Sequence, residues 1–466
     1  MRSDGVLQAT LAVLALAALP SGSASGQSRP GSDLAHARID SMLRAIHERG
    51  WFDGALVAGR GGSVVYARGF GFADVAAGAP FTTRTTSDGA SVAKTFTAAA
   101  VFMLHEDGLL GLGDPVQRFL PEYPYAGTTV AHLITHSAGA LPDYDYFWEF
   151  VGPDEVLTNE RLLAVLAEQR PPLSHAPGVL FEYSSTGSDL AALIVERASG
   201  QSYESFLAER IFRPLGMETV FVRPGRFADW PGVRTLSYRR AGDSLVVHDI
   251  WDREGFYGGS NLYLSAEDLY RWVASFAATP VLDDPTLARG LGPARLNAGQ
   301  ATGINLLSWY TSPDQTRFAY PGVLQGFYSV GYWDTDGDAV AFVTNTNMPS
   351  WLRGQLTAAV VSILETGTHR PLVPPENEQV ASEDLHAIAR AYPLDSLRTA
   401  RIAVDGEAAY VSIEGGIRYR MFQADDGAFY VPGLDAGVTF ALRRDDRLQV
   451  MRWRTAFEQI DAARIE

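Results

Sequence analysis

Residues 87–104 read SDGASVAKTFTAAAVFML and contain Lys94, the single lysine in a chain of 466 residues. The rest of the 38 lysines and arginines are arginine. A guanidinium stays protonated at any accessible pH, whereas a buried ammonium can give up its proton and serve as a base. Ser91 stands three residues earlier, and a serine hydroxyl is a weak nucleophile until a neighbouring base takes its proton. Ala93, Ala98, Ala99, Ala100 and Leu104 favour a helix, on which positions three apart share a face. Asp88-Gly89-Ala90 supplies a turn, so the helix begins near Ser91, where free N–H groups and the helix dipole favour negative charge. An S-x-x-K spacing is common by chance, and a core helix with one snorkelling lysine would also produce it. Arginine at every other basic position makes the chemical reading of Lys94 the stronger one.

Composition bounds the rest. The length suggests about two or three domains, and 46% hydrophobic residues are enough to fill a real core. A net charge of −16 disfavours nucleic acid or an anionic membrane surface as a partner. The chain has no cysteine, which excludes disulfides, thiol catalysis and thiolate metal sites. At the N-terminus Arg2 precedes an apolar run from Val6 to Leu19, then Pro20 and small residues. This pattern predicts a signal peptide over residues 1–26, hence an exported protein, periplasmic or secreted, with no transmembrane segment in the mature chain.

Periodicity predicts an α/β organisation with a β-rich end. GALVAGRGGSVVYARGFGFAD gives two strands around Arg60-Gly61-Gly62. Helical spacing covers Ser91–Glu106, Asn159–Glu168, Asp189–Ala198 and Ala266–Phe276. RFAYPGVLQGFYSVGYWDTDGDAVAFVTNT gives alternating strands around the Asp334–Asp338 turn, and the Pro-rich GTHRPLVPPENEQ marks a boundary near Pro371–Glu376. Beyond it one short helix near Glu383–Ala391 precedes the strand patterns AAYVSI, RYRMF, AFYVP and VTFALRR, read as a small β sandwich or barrel over residues 378–466.

Two further residues suit a serine site. Tyr183, in FEYSSTGSDLAALIVE, closes an extended stretch before a helix, and a phenol held near an ammonium can trade protons with a serine. Gly322, in FAYPGVLQGF, is a strand glycine where backbone can approach a ligand. Other features point to structure. GDSL at Gly242–Leu245 reads as a hairpin turn, and His132 and His136, four apart without an acidic third ligand, as packing or capping residues. The acidic-aromatic loop with Asp143, Tyr144, Tyr146, Phe147 and Trp148 is equally a cleft lining or an ordinary surface loop.

Ser91-Val92-Ala93-Lys94, Tyr183-Ser184-Ser185 and Tyr320-Pro321-Gly322 occur in the order of the S-x-x-K, Y-x-N and K-T-G or H-x-G motifs. Across residues 35–368 the chain resembles the serine β-lactamase and penicillin-binding-protein superfamily, in the branch of class C β-lactamases, D-aminopeptidases and esterases. The flanks GFGFADVAAGAPFTT, LHEDGLLGLGDPVQRFLPEYP, VAHLITHSAGALPDY, FRPLGMETV and YGGSNLYLSAEDLYRW share its character. The resemblance implies an antiparallel sheet flanked by helices with a mostly helical subdomain, which the β-rich C-terminal domain read from the strand patterns then follows. It implies Ser91 as the acylated nucleophile, Lys94 as its basic partner and Tyr183 as the residue that deprotonates first the serine and then water. The oxyanion hole would be the backbone N–H groups of Ser91 and Val323, with Ser185, Tyr320 and Gly322 on the substrate side. No cofactor or metal is implied, the substrate is a small molecule or a peptide, and no protein partner is specified.

Two departures stand out. Ser185 replaces the motif Asn with a shorter side chain, which puts its bonds to substrate and to Lys94 in question. Tyr320 replaces a cation that in β-lactamases and D,D-peptidases helps hold the substrate carboxylate. The expected activity is acyl-enzyme hydrolysis of an ester, amide or peptide bond. The alternative is a catalytically silent member that binds peptidoglycan fragments or a protein.

Overall fold

The computed structural model describes residues 30–372, apart from 232–233, 242–243, 279–280 and 313, together with residue 389 and eight strands between 391 and 463. The expected leader over residues 1–26 and most of the expected helix at 383–391 lie outside the described residues; Ala391 itself opens a strand.

Helix α1 (Pro30–Glu48) precedes strands β1 (Gly54–Arg60) and β2 (Ser63–Phe70). Arg60 faces Ser63 across a two-residue turn whose Gly61 and Gly62 both have positive φ, as this tight hairpin demands. The buried helix α2 (Ala93–Glu106) follows, then α3 (Ser185–Ser199) and α4 (Ala266–Ala278). The chain returns to the sheet with β3 (Pro293–Arg295), β4 (Ala301–Asn305), β5 (Tyr310–Thr311), β6 (Arg317–Leu324), β7 (Phe327–Asp334) and β8 (Asp338–Thr344), and α5 (Ser350–Thr366) closes the unit. Sheet order is β3-β4-β5-β6-β7-β8-β1-β2, antiparallel throughout, so β1 pairs with β8 from the far end of the unit.

The two-residue period of the strands sorts their side chains between two cores. Leu56, Ala58, Val340 and Phe342 pack with Ile39, Leu43 and Ile46 of α1 and Leu352 and Leu356 of α5. Ala55, Val57, Ala341 and Val343 face the other way, toward α2, α4 and the helical region. Such double cover explains why these strands read as continuous apolar runs although the sheet is antiparallel. Helix α2 is buried from Ala93 to Leu104, its hydrogen-bonded polar residues Lys94, Thr95 and Thr97 included. Phe96 stacks on Trp272 of α4 at 4.3 Å, and Trp272 Nε1 donates to Thr95 Oγ1 at 3.0 Å. Each such large buried side chain contributes roughly 1.5–3 kcal/mol relative to exposure.

The C-terminal strands form one antiparallel sheet in chain order, from Ala391–Pro393 to Gln459–Ala463. Among the described residues no helix is long and apolar enough to cross a membrane.

Candidate active site

Ser91 is set on a short, braced turn. The strand Ser87–Asp88 pairs with Leu262–Leu264, Gly89 N–H donates to Leu262 O at 2.8 Å, and Ser87 Oγ donates to Thr344 O at 2.7 Å. Ala90 then adopts φ +44°, a left-handed conformation costing a residue with a Cβ roughly 1–2 kcal/mol. Its N–H donates to the buried Asp88 Oδ1 at 2.7 Å. A 3₁₀ turn, Ala90–Val92, leads into α2, so Ser91 stands half-buried at the helix entrance with Lys94 one turn on.

Lys94 is 1% exposed. Its Nζ donates to Gly259 O at 2.6 Å, Ser185 Oγ at 3.1 Å and Ser91 Oγ at 3.2 Å. An ammonium has three N–H groups, and three acceptors meet them here. Tyr183 Oη donates to Ser91 Oγ at 2.7 Å, and the Tyr183 ring lies 4.9 Å from Nζ. Ser184 caps α3 by accepting from Gly187 N–H at 3.2 Å, which places Ser185 on the first turn of that helix. The direct bond from Lys94 resolves one question the sequence left: the shorter Ser185 still reaches the lysine.

Strand β6 passes beside the serine turn. A Cβ on Gly322 would fall 2.4 Å from Gly89 O, 2.6 Å from Ser329 Oγ and 2.9 Å from Ser91 N, so only glycine permits this approach. Ser329 on β7 ties the same carbonyl, donating to Gly89 O at 2.6 Å. Val323 follows with its side chain 37% exposed. Tyr320 lies elsewhere than expected of a substrate-facing residue: it is 0% exposed, with its hydroxyl 3.5 Å from His136 Nε2. The pleat puts Tyr320 on the same face of β6 as Gly322, but Trp309, Tyr310 and His136 pack over it and leave it no exposure.

The chain matches the family described as Beta-lactamase over residues 39–365. It belongs to the beta-lactamase family. Its sequence is 26% identical over 427 residues to Penicillin-binding protein 4* of Bacillus subtilis (strain 168), covering 87% of this chain and 94% of that protein. Its fold is similar to the octameric penicillin-binding protein homologue from Pyrococcus abyssi, with a TM-score of 0.61 and 22% identity over 91% of this chain and 99% of that one. It is also similar to EstCE1, a hydrolase with promiscuous acyltransferase activity, with a TM-score of 0.55 and 21% identity over 68% of this chain and 94% of that one. Family membership places the protein in the serine hydrolase superfamily.

In this beta-lactamase family member, residues that the sequence did not mark as catalytic surround the serine: His136, read as packing or capping, Tyr144 of the acidic-aromatic loop, and Asp189. His136 adopts φ +55° and lays its ring against Tyr183, with centroids 4.5 Å apart. Burial, aided by the Lys94 charge, pushes His136 down to about 3, so its imidazole is neutral. Beneath Lys94, Asp189 accepts from Gly259 N–H at 2.7 Å and from Tyr144 Oη at 2.8 Å. Burial raises the Asp189 carboxyl to about 7 despite those two donors and the nearby lysine. The legible signal for Asp189 was a carboxylate on an apolar helical segment, four residues after Ser185.

Apart from His136, the features read as structural sit away from this chemistry. His132 completes a capping box with Thr129. Tyr238–Ala241 and Ser244–Val247 pair as a hairpin around the GDSL stretch, whose Gly242 and Asp243 lie outside the described residues. Among the described residues the one grouping of acidic side chains close enough for a metal is Asp334, Asp338 and Glu365, and Arg60 and Arg317 pair with the last two.

Proposed function

We propose that the protein is an exported serine hydrolase that forms an acyl-enzyme on Ser91 and favours small neutral esters. The observation that carries this reading is the convergence of Tyr183 Oη at 2.7 Å and Lys94 Nζ at 3.2 Å on Ser91 Oγ. In the reactive form Tyr183 is the phenolate beside the Lys94 ammonium, whose three N–H groups are directed at acceptors, so Tyr183 Oη takes the serine proton and becomes the phenol as Oγ attacks the carbonyl carbon. Tyr183 then returns that proton to the leaving group, and the same exchange with water releases the acid. Backbone N–H groups of Ser91 and Val323 are the proposed oxyanion donors. A catalytically silent protein would have no need of a buried lysine in this setting.

The preference for neutral esters rests on charge. Tyr320 supplies no cation, Arg317 is paired with Glu365 at 2.8 Å, and Arg353 is bonded to Met348 O and lies over the Tyr328 ring. A charge-assisted bond to a substrate carboxylate is worth about 1.5–3 kcal/mol, or roughly tenfold to a hundredfold in rate. Export is supported by the apolar run from Val6 to Leu19. In the decisive experiment a fluorophosphonate probe is followed by intact and peptide mass spectrometry, alongside kcat/KM for a nitrophenyl ester and a chromogenic cephalosporin. Labelling is expected at Ser91 alone, Ser91→Ala should abolish both labelling and turnover, and the ester should be the better substrate. Labelling at another residue, or turnover surviving Ser91→Ala, overturns the catalytic reading; a preference for the cephalosporin overturns the charge argument.

A further inference from the structure

The Lys94 ammonium is buried, and the three atoms that accept from it, Gly259 O, Ser185 Oγ and Ser91 Oγ, are all neutral. Taking an ammonium out of water is costly unless an anion shares the site. The carboxyl group on the far side of Gly259 is Asp189, one helical turn after Ser185 on α3 and fully buried. Gly259 is the link between the two. Its carbonyl takes the shortest of the lysine's bonds, at 2.6 Å, and its N–H donates to Asp189 Oδ1 at 2.7 Å. The other carboxylate oxygen, Oδ2, accepts from Tyr144 Oη at 2.8 Å. A Cβ on Gly259 would fall 2.9 Å from Asp189 Oδ1, 2.9 Å from Ser185 O and 3.0 Å from Tyr144 Oη, so these groups close on the residue and leave no room for a side chain. The loop is braced on either side: Thr97 Oγ1 donates to Gly258 O at 2.8 Å, and Asn159 Nδ2 donates to both Asp189 O at 2.7 Å and Tyr257 O at 2.8 Å.

We propose that Asp189 is a positioning residue that serves as the counter-ion of Lys94: with Gly259 N–H on one oxygen and Tyr144 on the other, its carboxylate aims the Gly259 carbonyl at Nζ and holds the lysine as an ammonium. The inference rests on the roles given above to Ser91, Lys94 and Tyr183. It deepens them by naming the anion that still faces the ammonium once Tyr183 has become the phenol. Both carboxylate oxygens accept from donors in place, as an ionised acid requires. The ionisable groups around Asp189 are Lys94 from α2, Tyr144 from the short helix Tyr144–Trp148 and Tyr203 from the helix Tyr203–Leu207. Of these Lys94 is the cation. On its other side Lys94 faces Tyr183, whose ring is backed by the neutral His136. Asp189 exchanges no proton with the substrate and ends every turnover as it began.

Because Lys94 is the sole lysine, protein grown on 13C-labelled lysine gives one Cε signal, and its change with pH follows this side chain alone. Asp189→Asn keeps an oxygen for Gly259 N–H and removes the charge. Taking an anion away from beside a cation disfavours the cation, so the midpoint of the lysine signal moves to lower pH by about one unit or more. The alkaline limb of kcat/KM for a neutral nitrophenyl ester moves down with it, since the ammonium is the active form. A residue that only filled space would lower the rate at every pH and leave both midpoints in place. An unmoved signal in Asp189→Asn overturns the proposal, and so does an alkaline limb that stays at its wild-type position. If Asp189→Asn does not fold, wild type answers alone. Burial raises the Asp189 carboxyl to about 7, so the lysine signal inflects near that pH as the anion forms, and a signal flat through the range overturns the proposal. The signal is read without substrate: an unmoved signal leaves the labelling of Ser91 untouched, whereas failure of Ser91 to label overturns the catalytic reading and leaves the lysine result standing.

Discussion

Lys94 shows how one side chain is specified by number and shape of contacts as well as by charge. Its three donors meet Gly259 O, Ser185 Oγ and Ser91 Oγ inside a site that leaves 1% of the residue exposed. Arginine would keep the charge, but its planar fork cannot converge on three acceptors around a point. Lys94→Arg should therefore lose two or more orders of magnitude in acylation rate, measured by stopped-flow reaction with the fluorophosphonate. Charge conservation alone would predict little change in stability. The burial adds an overpacking cost of about 1–3 kcal/mol, read as a lowered urea midpoint. Acylation by Lys94→Arg at the wild-type rate would mean that the lysine has no chemical role. Spacing along a helix was enough to pair Ser91 with Lys94 in the sequence, whereas Gly259, distant in the chain, gave no sign there of accepting from the lysine.

At the scale of elements, the site is made where strand β6 meets the turn that enters α2. The closeness is enforced by Gly322, where a methyl group would press on the Gly89 carbonyl at 2.4 Å and on Ser91 N at 2.9 Å. Neither atom can yield as a flexible side-chain end would, because Gly89 O is also bonded by Ser329 and the turn is tied to Leu262. In Gly322→Ala the strand must move away from the turn, at a cost of about 1–3 kcal/mol. A displacement on the order of 1 Å at a reacting centre can cost a hundredfold in rate. The expected result is a modest fall in the melting midpoint with a fall in kcat of more than tenfold; wild-type kcat in the Gly322→Ala enzyme would show that the two elements need not touch. Period-two alternation and turn residues made β1, β2 and the β6–β8 meander readable in advance. The burial of Tyr320 was not, because the side chains that cover it, Trp309, Tyr310 and His136, come from other segments of the chain.

For the molecule as a whole, burying acids beside the site couples folding to pH. Burial raises the Asp88 carboxyl from 3.8 to about 7, against the bond from Ala90 N–H and the Arg223 charge. A raised folded-state value means that the folded protein binds this proton more tightly than the unfolded chain. The stabilising contribution is complete below about pH 4 and is lost as pH rises toward 7. Asp88→Asn keeps an oxygen for Ala90 N–H and removes the titration. The variant should gain roughly 2–3 kcal/mol relative to wild type between pH 5 and pH 8, since one pKa unit corresponds to about 1.4 kcal/mol. Urea unfolding of both proteins at the two pH values checks this, and a stability difference independent of pH would show that Asp88 is not buried as an acid. By itself the sequence determined the family, the sheet-and-helix class, and Ser91, Lys94 and Tyr183 as candidate chemistry, because each is written in local spacing and motif order. Only the tertiary structure decided that Ser185 reaches Lys94, that Asp189 and Gly259 lie beneath it, and that Tyr320 turns toward His136. Those contacts join residues far apart in the chain, and their partners are chosen by how the strands and helices pack rather than by any neighbour in sequence.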